Sequence, residues 1–504
     1  MKLNMKLLLI SILLSVPTVL LANDSQTEIN LMILKPLNFV NEVAKSINQI
    51  DSNLKAPDKC VEFISDKLDK IDRLKSDSFF PQTEKEIAEL EEKGSETLKL
   101  LFHVQLMVRK KQKELSQQGK LSFDCLQNIK RSTRYVRFME DMLIEWLIER
   151  KKVTQFSNDI LSGEFPQLMK NVDKIDFQIG DLFLIRGKSY VSGMIARIGD
   201  TELQFSHLAI LGLNDKNEKV IVEALIPYGT KISPFETWLK QKEARVVHFR
   251  FHDADTASKA GRAAFDLANS FISKHGYNIP YDFKMSSLDA DTIFCAELIE
   301  NAYLTASNSK MLLPENKSMT TKFKSTPFLK NMGIESTEIF APGDIEFDSR
   351  FDLLSEYRYF GKYEESDTIP LLRKIRMQDA IIQSIYNWTI VDNYQFVDSL
   401  KINTKTVLAK AFRYIGFLKD RMPTHMPYSS LKTVIQFEDT SHILEAYLFP
   451  IEESFYSQKK HSLHFQEMLK VLKDFRNAEC EKPDSEFNNL MTTKACFRKV
   501  GRDI

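Results

Sequence analysis

Three residues of the types that catalyse acyl transfer occur in the middle of this 504-residue chain: His207, Glu223 and Cys295. Cys295 stands in "DTIFCAELIENAY", between an apolar run and a predicted amphipathic helix. A thiol in the first turn of a helix is stabilised as thiolate by the partial positive charge of the helix N-terminus. The unpaired N–H groups of that turn can also receive an oxyanion. Cys295 is therefore a candidate nucleophile; an unreactive buried cysteine and one half of a disulfide are the alternatives.

A thiol nucleophile needs a base that afterwards protonates the leaving group, and histidine suits this role near neutral pH. His207 opens the predicted strand "FSHLAILGL", which is otherwise apolar, so an imidazole facing the core needs a polar partner. Glu223 lies among apolar residues in the next predicted strand, "KVIVEALI". On adjacent antiparallel strands, Glu223 can orient the imidazole as the third member of a triad. The alternative is a buried His–Glu pair that serves only the fold.

Residues that precede the Cys295 helix and the first predicted strand are further candidates for a role in the site or in the fold. Tyr281, in the loop before the predicted Cys295 helix, is expected to line the substrate cleft, with loop packing as the alternative. Asp291 or Thr292 is expected to help cap that helix. Gly180 and Asp181 predict a turn and the entry to a strand rather than a chemical role.

The histidines outside this group do not indicate a metal site. His248 and His252 have the spacing of one strand face, but no third ligand accompanies them, and the chain has no CxxC pair. His442 and the other histidines of the outer regions are interpreted as surface or packing residues. We expect neither a metal nor an organic cofactor.

The surrounding pattern predicts an α+β domain between two helical regions. "IGDLFLIRG", "FSHLAILGL", "KVIVEALI" and "ARVVHFRF" have the composition of strands, and "DADTASKAGRAAFDLANSFISKHG" predicts a helix that ends at Gly276. Amphipathic helical patterns dominate the chain before and after this α+β domain. The N-terminal helical region is interpreted as a scaffold or lid, and the C-terminal helical region has no evident chemistry. The predicted divisions are a signal peptide (1–22), a helical domain (23–168), the α+β domain (169–355) and a C-terminal helical domain (356–504).

The first residues predict export. Lys2 and Lys6 precede a short apolar run that ends at Ala22 before polar residues, which is the layout of a secretory signal peptide. An uncleaved membrane anchor is the alternative, but the run is short and contains Pro17. No later segment is apolar enough to span a membrane. Basic and acidic residues balance at 69 each, which does not favour a nucleic-acid partner.

The five cysteines fit an oxidising compartment. The simplest pairing joins Cys60 to Cys125 and Cys480 to Cys496, and it leaves Cys295 as the free thiol.

Five segments in order, "IGDLFLIRG", "FSHLAILG", "VIVEALIPYGT", "IPYDF" and "IFCAELIENAY", resemble the permuted papain-like cysteine amidases of the YaeF/YiiX type. These belong to the superfamily of NlpC-type cell-wall peptidases and lecithin–retinol acyltransferases. The resemblance implies a permuted papain-like (NlpC-like) domain with an antiparallel sheet. It also implies Cys295 as nucleophile, His207 as general base and Glu223 as third member. Phe294 and Ala296 depart from the Tyr and Ser that are more usual in the family.

Together these observations predict an exported cysteine hydrolase, periplasmic or secreted, that cleaves an amide or peptide bond, or an ester. The substrate implied by the resemblance is peptidoglycan or an acyl lipid. A lipid-directed acyltransferase or deacylase of the same fold is an alternative, and a catalytically inactive binding or scaffold protein is another. The sequence does not indicate an oligomeric state.

Overall fold

The computed structural model describes residues 80–150, 177–201, 203–226, 228–285, 291–320, 329, 333–334, 336–359, 369–412, 426–482, 485–493 and 496. The predicted signal peptide and Cys60 lie outside the described residues, so export and the pairing of Cys60 with Cys125 stay predictions. Among the residues that are described, no helix combines the length and the apolar character needed to cross a membrane.

The secondary structure is as follows. The described helices are α1 (Glu84–Gln117), α2 (Phe123–Glu149), α3 (Tyr190–Ile195), α4 (Phe235–Trp238), α5 (Ala254–His275), α6 (Cys295–Ala306), α7 (Leu371–Ile390), α8 (Leu400–Phe412), α9 (Tyr428–Lys459) and α10 (Phe465–Cys480), with a 3-10 helix at Pro342–Phe347. The described strands are β1 (Leu182–Arg186), β2 (His207–Leu213), β3 (Lys219–Leu225), β4 (Gly229–Pro234), β5 (Arg245–Phe251), β6 (Ser318–Met319), β7 (Glu338–Ile339), β8 (Phe351–Arg358), β9 (Gln395–Phe396) and β10 (Met491–Thr492).

A six-stranded antiparallel sheet forms the centre of the molecule, in the order β4-β3-β2-β1-β5-β8. The α+β prediction, with helices at both ends of the chain, is confirmed. The four apolar segments singled out in the sequence are β1, β2, β3 and β5. Helix α5 starts after Asp253, whose carboxylate accepts the N–H of Asp255 at 3.1 Å, and it ends at Gly276 with φ +75°. Helices α5 and α6 pack on each other and on β2.

Strand β8 continues to Arg358, beyond the boundary at 355 that the sequence predicted. Its last residues include the buried charged pair Glu356 and Arg358, so the strand lacks a simple apolar alternation. Both charged residues can be buried because side chains of α2, in the N-terminal region, pair with them. Arg137 of α2 donates from Nε to Glu356 Oε1 at 2.6 Å, and Arg358 Nη2 donates to Glu140 of α2 at 3.0 Å.

Further buried ion pairs attach helices from both flanking regions to the α+β domain. Asp141 of α2 accepts from Arg245 Nε on β5 at 2.8 Å. On the C-terminal side, Asp379 of α7 accepts from Arg186 Nη2, at the end of β1, at 2.8 Å. Buried charges are tolerated only when each has an opposite partner. The two flanking regions are thus bonded to the sheet rather than linked to it loosely.

The predicted disulfide between Cys480 and Cys496 is confirmed, with the two Cα atoms 5.0 Å apart. It joins the last residue of α10 to the chain that follows β10. Cys125 is buried in the first turn of α2.

Candidate active site

His207 and Glu223 meet on one face of the sheet. Glu223 stands opposite Ala209 in the β2–β3 register, and His207 precedes Ala209 by two residues, so both side chains point the same way. The distance from His207 Nε2 to Glu223 Oε2 is 2.9 Å. Glu223 is buried, whereas the His207 side chain keeps 15% of its surface exposed. The hydrogen bond to Glu223 fixes the orientation of the His207 ring and leaves its Nδ1 free for a second partner.

Cys295 is the first residue of α6, and Phe294 is the N-cap. Glu297 Oε2 accepts the N–H of Phe294 at 3.3 Å. The expectation that Asp291 or Thr292 caps the helix was wrong, because the chain stays extended through Phe294 before it turns. The start of α6 therefore presents a buried thiol together with the N–H groups of its first turn, which have no partner within the helix.

The thiol interacts with His207. Burial alone would lower the pKa of His207, but hydrogen bonding and charge from Cys295 and Glu223 raise it to about 10. His207 is consequently an imidazolium at neutral pH, positioned between the side chains of Cys295 and Glu223. The structure thus brings together the three residues that the sequence singled out.

Tyr281 lies beside the thiol, in a short parallel bridge with Ile293. Ile293 donates its N–H to Pro280 O at 2.9 Å, and Asp282 donates to Ile293 O at 3.1 Å. The Tyr281 side chain is 3% exposed. Burial raises its pKa well above the ordinary value, and the charge of Cys295 and its hydrogen bond with the phenol add to the effect. Tyr281 is thus a buried neighbour of the Cys295 sulfur atom, and its predicted place in the substrate cleft stays a prediction.

Comparison with known proteins relates the central part of the chain to one family. Residues 176–343 match the model of a family described as permuted papain-like amidase enzymes, the YaeF/YiiX or C92 family. The central domain is a permuted papain-like domain. A solved structure that matches is that of the metalloprotein yiiX from Escherichia coli O157:H7 (DUF1105), with 17% identity, a TM-score of 0.26, and coverage of 35% of this chain and 96% of that one. No curated protein matches the chain.

The turn at the entry to the papain-like domain has a structural role, as predicted. Asp181 is buried and accepts from His248 Nε2 and Arg250 Nε, each at 2.8 Å. Gly180, with φ +92°, leaves no room for a Cβ atom, which would lie 2.0 Å from the carbonyl oxygen of Ala257. Among the described residues there is no group of three or more His, Cys, Asp or Glu side chains that could hold a metal ion.

A cavity of about 670 Å³ opens onto His207 and Glu223. Part of its wall comes from outside the papain-like domain, where α9 contributes Glu438, His442 and Glu445. The sequence assigned no chemistry to this helix and interpreted His442 as a surface or packing residue. The only sequence signal for this cavity wall was the helical spacing of the three residues, and that spacing does not show which part of the protein they face.

A tether between β4 and the loop of Tyr281 supports the site. Thr230 donates its N–H to Ile279 O at 2.9 Å, and Thr230 Oγ1 accepts the N–H of Ile279 at 3.0 Å. The preceding residue, Gly229, has φ +68°, and a Cβ atom there would lie 1.9 Å from the same carbonyl oxygen. The close approach of the two segments thus requires glycine.

We expect Gly229→Ala to displace this loop and to slow alkylation of Cys295 by iodoacetamide, because Tyr281 would shift against the thiol. The combined clash and strain should lower the free energy of unfolding by about 1–3 kcal/mol. Gly276→Ala is the matched control, since Gly276 also has positive φ but faces open space. Urea denaturation and the alkylation rate measure the two effects. Equal alkylation rates in the two variants would contradict the proposed tether.

Proposed function

We propose that this protein is an exported cysteine amidase in which Cys295 is the nucleophile, His207 the acid–base and Glu223 the residue that orients His207. The observation that carries the proposal is the contact of a free thiol at a helix start with an imidazole that also binds a buried carboxylate. The match to a family of amidases supports the class of reaction. The mechanism needs no metal or organic cofactor.

The first half of the reaction forms a thioester. The Cys295 thiolate attacks the substrate carbonyl carbon, and the N–H of Cys295 stabilises the resulting oxyanion. The His207 imidazolium donates its proton to the leaving nitrogen, the C–N bond breaks, and the free amine departs.

The second half of the reaction uses the change in charge at sulfur. A thioester carries no negative charge, so the contribution of Cys295 to the raised pKa of His207 disappears once the acyl group is attached. The neutral imidazole then accepts a proton from water, and the hydroxide attacks the thioester. Release of the carboxylic acid restores the thiolate and the imidazolium.

Glu223 should set the alkaline limit of activity. The hydrogen bond and charge of Glu223 help to raise the pKa of His207 to about 10, and the imidazolium is the proton donor. We therefore expect kcat to fall as pH rises through about 10 in the wild type. In Glu223→Gln the fall should begin about one pH unit or more lower. A profile of kcat against pH measures this shift, and Glu236→Gln, at an exposed position of α4, is the control.

The free energy of unfolding, like kcat, should fall as pH rises through the pKa of His207. His207 has a folded pKa above its ordinary value of 6.5, so its contribution to stability is complete below that pH and is lost as pH rises through about 10.

An alkaline limit of kcat that is identical in Glu223→Gln and the wild type would remove Glu223 from the proposed triad.

The proposed location is the periplasm or the exterior, on the basis of the signal-peptide pattern in residues 1–22. Cell-wall peptide amides are the substrates favoured by that location, and acyl lipids are the alternative. Incubation of the protein with purified peptidoglycan and with acyl lipids, followed by mass spectrometry of the products, tests both. Release of a free amine supports hydrolysis, whereas appearance of the acyl group on an added acceptor would indicate acyl transfer.

The binding or scaffold alternative is tested by thiol reactivity. We expect iodoacetamide to label Cys295 faster than a model thiol and His207→Ala to reduce that rate. A Cys295 that reacts at the rate of a model thiol, with no effect of His207→Ala, would defeat the enzyme proposal.

A further inference from the structure

Helix α8 exposes several apolar side chains to solvent. Eleven large hydrophobic side chains are exposed among the described residues, and four of the eleven lie on this one helix: Leu400, Val407, Leu408 and Phe412. Leu400 alone keeps 84% of its surface exposed. A single exposed leucine or valine is ordinary on a protein surface, but a contiguous apolar patch marks a site of interaction.

The four exposed residues form one stripe along α8. Val407 and Leu408 follow Leu400 by about two turns, and Phe412 follows Leu408 by one turn. Residues at this spacing lie on one face of a helix. The buried residues lie on the opposite face, where α8 packs against α9: Ile402, Thr406 and Ala409. Helix α8 is thus apolar on two faces, and only the inner face is covered by the described part of the chain.

Lysines lie on both sides of the apolar stripe. Helix α8 carries Lys401, Lys405 and Lys410 and no acidic residue, although basic and acidic residues balance at 69 each over the whole chain. By helical spacing, Lys401 and Lys405 lie on one side of the stripe and Lys410 on the other. The Nζ atom of Lys410 is 5.8 Å from the ring centroid of Tyr428, a half-exposed residue in the first turn of α9.

The lysine charges are only partly compensated. Lys405 pairs with Asp439 of α9. Lys401 Nζ lies 3.7 Å from Glu486 Oε1, but both side chains are 71% exposed, and solvent weakens an ion pair at that exposure. Lys410 makes no ion pair within 4 Å to any described residue. The stripe therefore lies beside positive charge that is available to an anionic partner.

This combination of side chains fits a lipid surface better than a protein partner. The cores of protein–protein interfaces are depleted in lysine, whereas helices that lie in a membrane interface combine leucine and phenylalanine with flanking lysines. The aliphatic part of a lysine side chain can follow the apolar stripe while its ammonium group reaches a phosphate. Tyrosine is enriched at the depth of the lipid headgroups, which suits Tyr428.

We propose that α8 is a membrane-docking helix that lies in the plane of an anionic phospholipid surface. Its four exposed apolar side chains insert among the acyl chains, and its lysines face the phosphate groups. The proposal is independent of the amidase function. It assigns a role to the C-terminal helical region, in which the sequence indicated no chemistry and which lies outside the segment that matches the family.

Flotation of the full-length protein with phospholipid vesicles tests this proposal. Vesicles of phosphatidylcholine and phosphatidylglycerol in equal amounts should carry the wild type upward in a sucrose gradient. Val407→Asp should lower the partition coefficient about tenfold or more, because a charge replaces an inserted apolar group. Val391→Asp is the matched control, since Val391 lies at the end of α7 and is 57% exposed, against 56% for Val407. It should bind like the wild type.

The contribution of charge is tested by changing both the lipid and the protein. Lys410→Gln should weaken binding to the vesicles that contain phosphatidylglycerol about fivefold and leave binding to pure phosphatidylcholine unchanged. Lys216→Gln, at an exposed lysine in the turn after β2, is the control and should alter neither. Binding of Lys410→Gln that equals the wild type on both kinds of vesicle would contradict the assignment of the lysines to phosphate groups.

Tryptophan fluorescence shows whether α8 itself inserts, whatever residues 1–22 contribute to binding. The three native tryptophans, Trp146, Trp238 and Trp388, are buried, so brominated phosphatidylcholine should not quench them. In Val407→Trp the added emission should be quenched by the brominated lipid, and in Val391→Trp it should not. The absence of quenching in Val407→Trp on vesicle-bound protein would overturn the proposal. So would self-association or binding of a protein partner that Val407→Asp abolishes while flotation is unchanged.

Discussion

Replacing Cys295 with alanine is expected to reduce amide hydrolysis by about 10⁴-fold or more, because the acyl-enzyme can no longer form. The Cys295 sulfur is the only protein atom that bonds to substrate carbon in the proposed mechanism. The same substitution should remove the iodoacetamide-reactive site completely, and mass spectrometry of the labelled protein measures this directly.

The fold should survive this substitution, which removes one buried sulfur atom and leaves the packing around it in place. Circular dichroism and the denaturation midpoint should therefore stay close to those of the wild type. His207→Ala offers an independent comparison, since it keeps the thiol and removes its proton partner. A Cys295→Ala protein that hydrolyses amides at the wild-type rate would exclude Cys295 as nucleophile.

Replacing Asp141 with asparagine is expected to lower the free energy of unfolding by about 3–5 kcal/mol. Asp141 is fully buried on α2, where it binds the guanidinium groups of Arg245 on β5 and Arg358 on β8. Loss of its charge leaves both guanidinium groups buried with insufficient opposite charge, and a buried uncompensated charge is far more costly than an exposed one.

An exposed carboxylate provides the control for this effect. Asp255 pairs with Lys259 one turn later on the surface of α5, with its side chain 74% exposed, so Asp255→Asn should change stability little. Urea denaturation of the three proteins measures the difference. Equal stability of Asp141→Asn and the wild type would show that the buried network does not hold α2 to the sheet.

The sequence predicted the parts of the fold that depend on local pattern. β1, β2, β3 and β5 are apolar runs between turn residues, and α5 has an acidic start and a glycine stop, so each could be recognised from its own residues. The candidate site followed because His207 and Glu223 are polar residues in apolar strands, and a buried polar side chain needs a partner. The proximity of Cys295 came from the family resemblance, not from any local rule.

The parts that the sequence did not predict depend on contacts between distant segments. β8 was missed because its buried residues are charged, and their partners lie more than 200 positions earlier on α2. The capping residue of α6 was predicted incorrectly because the bridge between Tyr281 and Ile293 keeps the chain extended up to Phe294. The contribution of α9 to the active-site cavity could not be foreseen, since it depends on how a helix from the C-terminal region packs against the papain-like domain.

The sheet also determines whether the papain-like segment could fold when it is moved into another protein. The segment that matches the family ends at 343, but β8, the neighbour of β5, runs from Phe351 to Arg358. A protein that contained only residues 176–343 would expose the edge of β5, and unpaired edges promote aggregation. It would also separate Arg245 from Asp141 and Asp379, its buried partners in the flanking helices. The segment that matches the family is therefore shorter than the segment that folds, and moving the candidate active site into another protein would require the helices on both sides as well.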